Sequence, residues 1–326
     1  MLSLKFSDIK ALKYYLIIEK QIFPRVTKKG VTYKDDIEKE KLIKKLNLTK
    51  DEIKKIIISK PEELATINDT LMPQLINDFD NDEFAEYLNK TKAERANCTK
   101  YHSKIEEIKS VFSYKTIIGN KYDLAEILDQ HTCVYCNRNY VKTIGNTEKK
   151  IIRAEYDHFF SQSKYPLLAL SFYNLIPICS NCNKKKLDKN FKINTHLNPY
   201  LISVEDKKFS FSFRKKNLIE NNVKINIETK NTESVDKINN TFTDLSLIEI
   251  YQAHSDKELQ DLLNLRYKYS ENYLEILLNN TFTNLHLSLE EAYRMLFGIE
   301  VEEENYHKRP FSKFKKDIID ELLKIK

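Results

Sequence analysis

Two pairs of cysteines, each spaced C-x2-C, are the feature that most constrains how this chain can fold. Cys133 and Cys136 form the first pair and Cys179 and Cys182 the second, with 42 residues between the pairs. Each pair forms a tight turn whose two sulfurs point at one ion, and two such turns complete a tetrahedral thiolate shell without an open position. We therefore predict a structural zinc site that joins two distant parts of the sequence.

A redox-active C-x-x-C motif is the alternative interpretation of each pair. The presence of two pairs, with basic residues between them, favours a metal site. The fifth cysteine, Cys98, lies apart in a polar stretch. This usage is typical of reduced thiolates on metal, so we expect a cytoplasmic protein. The first residues lack the apolar core of a signal peptide, and no apolar run approaches about 18 residues, so we expect no membrane association.

The scarcity of glycine and proline, with four and seven in 326 residues, predicts a mainly α-helical fold. Within it we predict a small central ββα core that carries the four cysteines and the zinc. Residues 1–125 are predicted to be a helical region that docks a partner or binds substrate, with a plain scaffold as the alternative. Residues 126–200 hold the core. Residues 201–326 hold a short β-pair and a helical C-terminal region.

Local patterns predict where several elements lie. The core strands are expected at 151–156 and 175–178, followed by a helix over 181–188. Alternating apolar residues at 209–213 and 223–227 predict the β-pair. Helix N-termini are predicted at three capping boxes, Thr49–Glu52, Ser255–Glu258 and Ser288–Glu291. Pro61 and Pro73 are expected to open or interrupt helices, and Gly298 to end one. The final helix has an apolar face formed by Phe311, Phe314, Ile318, Leu322 and Ile325.

Positive charge is concentrated in the block that carries the cysteines. Residues 131–200 contain eleven Lys or Arg and four Asp or Glu, a balance of +7, so the rest of the chain sums to −1 of the total +6. A basic surface around a candidate site fits a polyanion such as nucleic acid, whereas a solvated face is the simpler alternative. We predict phosphate contacts from five basic residues: Lys184, Lys185, Lys186, Arg138 and Lys164.

Three polar residues between and beside the cysteines suggest a catalytic site. Asp157 and His158 follow a predicted strand, and Asn183 directly follows Cys182 at the start of the predicted helix. If that helix packs across the strand, Asp157 and Asn183 supply oxygen ligands to a divalent ion such as Mg²⁺ or Mn²⁺. His158 would then act as general base, and Asn174 would pin the loop that orients it.

The same residues resemble a known family. Cys133-x2-Cys136, Tyr156-Asp157-His158-Phe159, Asn174-Leu175 and Cys179-x2-Cys182-Asn183-x2-Lys186 are similar to the HNH endonuclease pattern, also called the ββα-metal or His-Me finger. The resemblance implies the ββα-metal fold, His158 as the base, and Asp157 and Asn183 as metal ligands. Many members have histidine where this chain has Asn183, which favours Mg²⁺ or Mn²⁺ over a softer ion.

A longer stretch, reaching to about Tyr200, looks like the PtuB-type HNH subunits of the Septu and retron-associated anti-phage systems. That resemblance implies a defence effector that works with an ATPase partner. We therefore predict a metal-dependent endonuclease that acts on DNA, with tRNA or another RNA as an alternative substrate. A zinc-nucleated module that binds nucleic acid without cutting it is the competing hypothesis, because the cysteines and the basic charge fit both.

Overall fold

Helices make up most of the protein, as its composition predicts. The computed structural model describes residues 1–23, 34–118, 122–146, 148–202, 209–215, 221–268, 276 and 288–323. The N-terminal region is built from helices α1 (Asp8–Ile22), α2 (Lys34–Lys45), α3 (Lys50–Ile58), α4 (Pro61–Leu75), α5 (Asn81–Asn89), α6 (Lys92–Ala96), α7 (His102–Val111), α8 (Tyr114–Ile117) and α9 (Asp123–Leu128).

Two N-terminal helices begin where the sequence predicts. The Thr49 side chain accepts from the Glu52 backbone N–H, and the Glu52 carboxylate accepts from the Thr49 N–H, so the expected capping box forms at α3. Pro61 occupies the first turn of α4, where its missing N–H costs no helical hydrogen bond. Pro73 does not interrupt that helix, which continues to Leu75. Proline near a helix C-terminus displaces only one hydrogen bond of the last turn.

The central region contains two antiparallel strand pairs and one helix. β1 (Ile144–Gly145) pairs with β2 (Lys150–Ile152), and β3 (Glu155–His158) pairs with β4 (Leu175–Ile178). The predicted strand over 151–156 is therefore split between β2 and β3. Two 3₁₀ turns, Pro166–Leu170 and Phe172–Asn174, connect β3 to β4, and α10 (Ser180–Lys186) follows β4 and contacts β3.

The C-terminal region begins with the predicted β-pair, β5 (Phe209–Lys215) and β6 (Asn221–Ile227), in which Phe211 lies opposite Ile225. The described helices after it are α11 (Thr232–Asp244), α12 (Leu247–Gln252), a π-helical turn (Ser255–Leu259), α13 (Gln260–Lys268), α14 (Leu289–Phe297), a 3₁₀ turn (Glu303–Lys308) and α15 (Ser312–Leu323).

Predictions for the ends of these C-terminal elements had mixed outcomes. The Ser288 capping box forms, and Gly298 ends α14 in the left-handed conformation at φ 66°. The capping box predicted at Ser255 is wrong. Ser255 is the first residue of a π-helical turn and instead receives a hydrogen bond from the Gln252 amide. The final helix forms with Phe314 and Ile318 buried, Phe311 lies just before it, and Ile325 lies outside the described residues.

Apolar side chains from all three regions form one contiguous core. Two buried hydrogen bonds fasten the N-terminal helices to the loop between β3 and β4. The Tyr14 hydroxyl donates to the Leu170 carbonyl at 2.9 Å, and the Ser171 hydroxyl donates to the Ile56 carbonyl at 2.6 Å. The helices therefore support the loop that carries the candidate site. Across the described residues, every helix is too short or too polar to cross a lipid bilayer.

Candidate active site and zinc centre

The four cysteines predicted to bind zinc converge in the interior. Their sulfurs all lie within 4.8 Å of one another, and each of the four residues is buried and free of disulfide bonds. The Cys136 and Cys179 sulfurs are 4.0 Å apart. Zn–S bonds of about 2.3 Å in a tetrahedron require sulfurs separated by about 3.8 Å. The cluster could therefore hold a zinc ion, and it is the one such group of acidic, histidine or cysteine ligands among the described residues.

The first cysteine pair has the backbone of a metal-binding knuckle. Asn137 adopts the left-handed conformation at φ 47°, and its N–H donates to the Cys133 carbonyl at 2.8 Å, which closes the turn. The Arg138 N–H then points at the Cys136 sulfur at 3.4 Å. The fully buried Asn137 amide also donates to the Tyr306 carbonyl at 3.1 Å, which ties the knuckle to the C-terminal region.

The second pair begins α10, whose inner face packs on β3. Residues 155 and 157 share one face of the strand because side chains alternate, and positions 183 and 186 share one face of the helix. Asn183 accordingly contacts Glu155, and Lys186 contacts Asp157. The helix therefore crosses the strand as the sequence argument requires, with two polar contacts along the interface.

Asp157 is held by two donors in the interior. The Lys186 ammonium donates to Oδ1 at 3.0 Å, and the Tyr135 hydroxyl donates to Oδ2 at 2.6 Å. Burial raises the pKa of the Asp157 carboxyl, while Lys186 and Tyr135 act in the opposite direction. Lys186 also donates to the His158 carbonyl at 2.7 Å, so its ammonium links the side chain of one residue to the backbone of the next.

The His158 ring lies against the turn between the strands. Its Nε2 lies 2.9 Å from the Ala169 carbonyl, which can only accept, so Nε2 carries the proton. In the neutral ring Nδ1 then holds the lone pair. The ring packs edge-on against Tyr114 of α8, with centroids 4.8 Å apart. Burial lowers the pKa of His158 to about 4, so the ring is neutral at pH 7 and its Nδ1 can accept a hydrogen bond.

Asn174 joins the two ends of the loop after His158. Its Oδ1 accepts from the Phe160 N–H at 2.7 Å, while its Nδ2 donates to the Phe160 and Leu168 carbonyls at 3.1 and 2.9 Å. The side chain is fully buried, and these partners use most of its hydrogen-bonding capacity. The Asn174 side chain therefore fixes the loop that carries the Ala169 carbonyl, to which the His158 ring is hydrogen-bonded.

The four cysteines meet at the start of α10, and the Asp157-His158 pair lies on β3, against which that helix packs. Residues 133–189 match the HNH endonuclease family model. This match supports a relationship between the segment and the HNH family, and it indicates nuclease activity on nucleic acid. No curated protein and no solved structure matches the chain. The PtuB-type likeness stays a prediction.

The oxygen donors of the HNH segment fit a hard divalent ion in their chemistry. Asp157 and Glu155 are carboxylates on the face of β3 that α10 covers, and Asn183 offers an amide oxygen from the helix. Oxygen donors of this kind suit Mg²⁺ or Mn²⁺. Asn183 donates its Nδ2 to Glu155 at 2.8 Å, which leaves its Oδ1 as the donor atom for a metal.

The basic residues predicted to contact phosphate lie in different environments. Lys184 and Lys185 are exposed on α10. Lys186 is buried, so its predicted phosphate contact is wrong: the helix turns its ammonium inward, where it neutralises Asp157. Arg138 is half-buried with Nη1 3.2 Å from His254 Nε2. Lys164 lies in the loop after β3, beside a cavity shared with the N-terminal helices.

Sequence reasoning missed three residues that shape the site. Glu155 precedes Asp157 by two positions, so strand alternation could have placed both on one face. Tyr135, between the first two cysteines, donates to Asp157, and Tyr114 comes from a helix more than forty residues upstream of His158. The contacts of the two tyrosines depend on tertiary packing, and no local pattern marks them.

Proposed function

We propose that this protein is a metal-dependent endonuclease that hydrolyses phosphodiester bonds, with DNA as the favoured substrate and tRNA or another RNA as the alternative. The observation that carries the proposal is the arrangement of His158. Its Nε2–H is held by the Ala169 carbonyl, so its Nδ1 bears the lone pair. A neutral imidazole fixed in one tautomer is what a general base requires.

His158 Nδ1 takes the proton from the attacking water. The Ala169 carbonyl then stabilises the imidazolium that forms, because it continues to accept from Nε2. Asn174 keeps this carbonyl in place through its hydrogen bonds to the same loop. The His158 ring is thus oriented by a backbone carbonyl rather than by a carboxylate side chain.

Asp157 and Asn183 would hold the divalent ion, with Glu155 beside them. When bound, the ion supplies positive charge that stabilises the scissile phosphate and the departing oxygen. Lys186 favours the ionised form of Asp157 and fixes the carboxylate through its 3.0 Å contact. The zinc proposed at the cysteine quartet has a structural role, since four thiolates leave no position for substrate or water.

The resemblance to PtuB-type subunits extends the proposal to an anti-phage effector that acts with an ATPase. Co-purification with an ATPase, and cleavage that requires that ATPase, would support this part. Cleavage by the isolated chain, unaffected by the ATPase, would contradict it and leave the nuclease proposal intact.

The decisive experiment compares the wild-type protein with His158→Ala on plasmid, linear duplex DNA, single-stranded DNA and total tRNA, with Mg²⁺, Mn²⁺ or EDTA. We expect divalent-dependent cleavage by the wild type and a loss of about 10²–10⁴-fold in His158→Ala. His102→Ala, which removes a histidine at the start of α7, is the matched control and should cut normally. Binding without cleavage by the wild type would favour the non-catalytic zinc module instead.

A further inference from the structure

The β1–β2 hairpin exposes aliphatic side chains that no other element covers among the described residues. Ile144, Ile151 and Ile152 are 51, 53 and 56 % exposed, and Tyr140 at the base of the hairpin is 65 % exposed. Every residue of both strands is exposed. An isolated two-stranded hairpin gains little stability on its own. Apolar side chains grouped on such an element are typical of a surface that binds something.

The hairpin and its base are strongly basic. Residues 138–153 contain five basic side chains and one acidic one, Glu148, a balance of +4 over 16 residues. Lys142, Lys149 and Lys150 are exposed. This charge favours a polyanion over a protein surface of ordinary composition, and lysines with interleaved aliphatic residues suit the phosphates, sugars and bases of nucleic acid.

The hairpin leads directly into the candidate site. Two residues separate the end of β2 from β3, which carries Glu155, Asp157 and His158. A cavity of about 520 Å³ lies between the hairpin base and the start of α10, and its lining includes Arg138, Ile152, Arg153, Glu155 and Ser180. A strand of nucleic acid that lies on the hairpin therefore continues past Glu155, whose carboxylate is hydrogen-bonded to Asn183.

We propose that the β1–β2 hairpin is the arm that holds the nucleic-acid substrate beside the catalytic strand. Lys149 and Lys150 contact phosphates, and Ile151 and Ile152 pack on sugars or bases. The proposal rests on the proposed nuclease function and names the element that binds the substrate. It makes the hairpin a binding element, with no part in the proton transfer assigned to His158.

The test measures equilibrium binding in EDTA, so that cleavage does not interfere, on duplex DNA, single-stranded DNA and tRNA. We expect Lys149→Glu/Lys150→Glu to weaken binding at least tenfold on the substrate that the wild type prefers. The slope of log K against log salt should fall by about 1.8, because two phosphate contacts each contribute about 0.9 on duplex DNA. Ile151→Ser/Ile152→Ser should weaken binding about threefold to tenfold with an unchanged slope.

A third variant changes the backbone conformation of the hairpin without changing its charge. Gly145 has φ +95°, and a Cβ at this position would lie 2.2 Å from the Lys149 carbonyl oxygen. Gly145→Ala therefore distorts the turn. Because the strand residues are exposed, the core and the melting temperature should be unaffected. We expect it to weaken binding as the lysine variant does.

Matched controls come from exposed residues far from the hairpin. Ile9 in α1 is 82 % exposed, and Lys13 and Lys41 are exposed on α1 and α2. Ile9→Ser and Lys13→Glu/Lys41→Glu should bind as the wild type does. Equal binding by wild type and hairpin variants would overturn the inference, even if the wild type cleaves. Loss of binding in the hairpin variants of a protein that never cleaves would support the inference and contradict the nuclease proposal.

Discussion

The Lys186 ammonium lies 3.0 Å from an Asp157 carboxylate oxygen, and both side chains are almost completely buried, with 1 and 4 % of their surface exposed. The Tyr135 hydroxyl donates to the second carboxylate oxygen. The carboxylate is therefore satisfied by one cation and one neutral donor. Such a pair holds α10 against β3, and removing one partner leaves an uncompensated charge in the interior.

Lys186→Met should destabilise the protein by about 3–5 kcal/mol, because Asp157 then remains buried without its counter-ion. Urea denaturation without added Mg²⁺ or Mn²⁺, so that no divalent ion compensates the Asp157 charge, measures the change in the free energy of unfolding. Lys185→Met is the control, since Lys185 is the exposed neighbour on the same helix and its loss should change stability by less than about 0.5 kcal/mol. Equal unfolding free energies for the two variants would contradict the assigned ion pair.

Asn174→Ala should lower the free energy of unfolding by about 2–4 kcal/mol. The substitution removes the Asn174 partner of the Phe160 N–H and of the Phe160 carbonyl, whereas the Leu168 carbonyl still accepts from the Ser171 N–H. Each unsatisfied buried group costs about 1–3 kcal/mol before the loop relaxes. Thermal or urea unfolding measures the effect. Asn194→Ala alters an exposed asparagine near the same region and should be neutral. A stable Asn174→Ala protein would show that the loop does not depend on this amide.

Cys179→Ser should release the zinc and destabilise the segment from the first knuckle to α10. A four-thiolate shell is favourable only when complete, so metal affinity and folding are lost together. Elemental analysis measures the zinc bound per chain, which we expect to be one in the wild type. Cys98→Ser, which alters the cysteine outside the cluster, should retain it. A folded Cys179→Ser protein with full zinc content would contradict the proposed site.

Acidification should lower the free energy of unfolding through the protonation of His196. Its Nε2 lies 3.0 Å from Asp244, and Phe191 stacks on the ring. Burial lowers the pKa of His196, and the Asp244 carboxylate only partly offsets this; Lys186 and Lys189 also lower it. The unfolded chain, with a histidine pKa near 6.5, therefore binds more protons than the folded one.

The free energy of unfolding should consequently fall as the pH drops below about 6.5. His196→Gln removes the contribution of this histidine to the pH dependence. The free energy of unfolding should therefore change less steeply with pH in the variant than in the wild type. Urea denaturation at a series of pH values measures both slopes. A steeper slope in His196→Gln would mean that the folded protein binds the proton more tightly than assigned here.

The elements with local sequence patterns could be predicted. Strand alternation indicated the β5–β6 pair, the capping boxes indicated the starts of α3 and α14, and Gly298 indicated the end of α14. These features depend on residues within a few positions of one another, so their physical causes are contained in short segments. The Ser255 box failed because the chain forms a π-helical turn there that continues into α13.

The sequence by itself determined that the four cysteines come together and that the Asp-His pair lies at the end of a strand, because ligand spacing and strand alternation can be read from short segments. Only the structure extended that strand, β3, through Asp157 and His158. Only the tertiary structure decided that Lys186 turns inward to Asp157, that Asn183 meets Glu155, and that Ala169 selects the His158 tautomer. Those contacts join residues 11 to 29 positions apart. They arise from how α10 and the 3₁₀ turns pack on β3, which no single segment encodes.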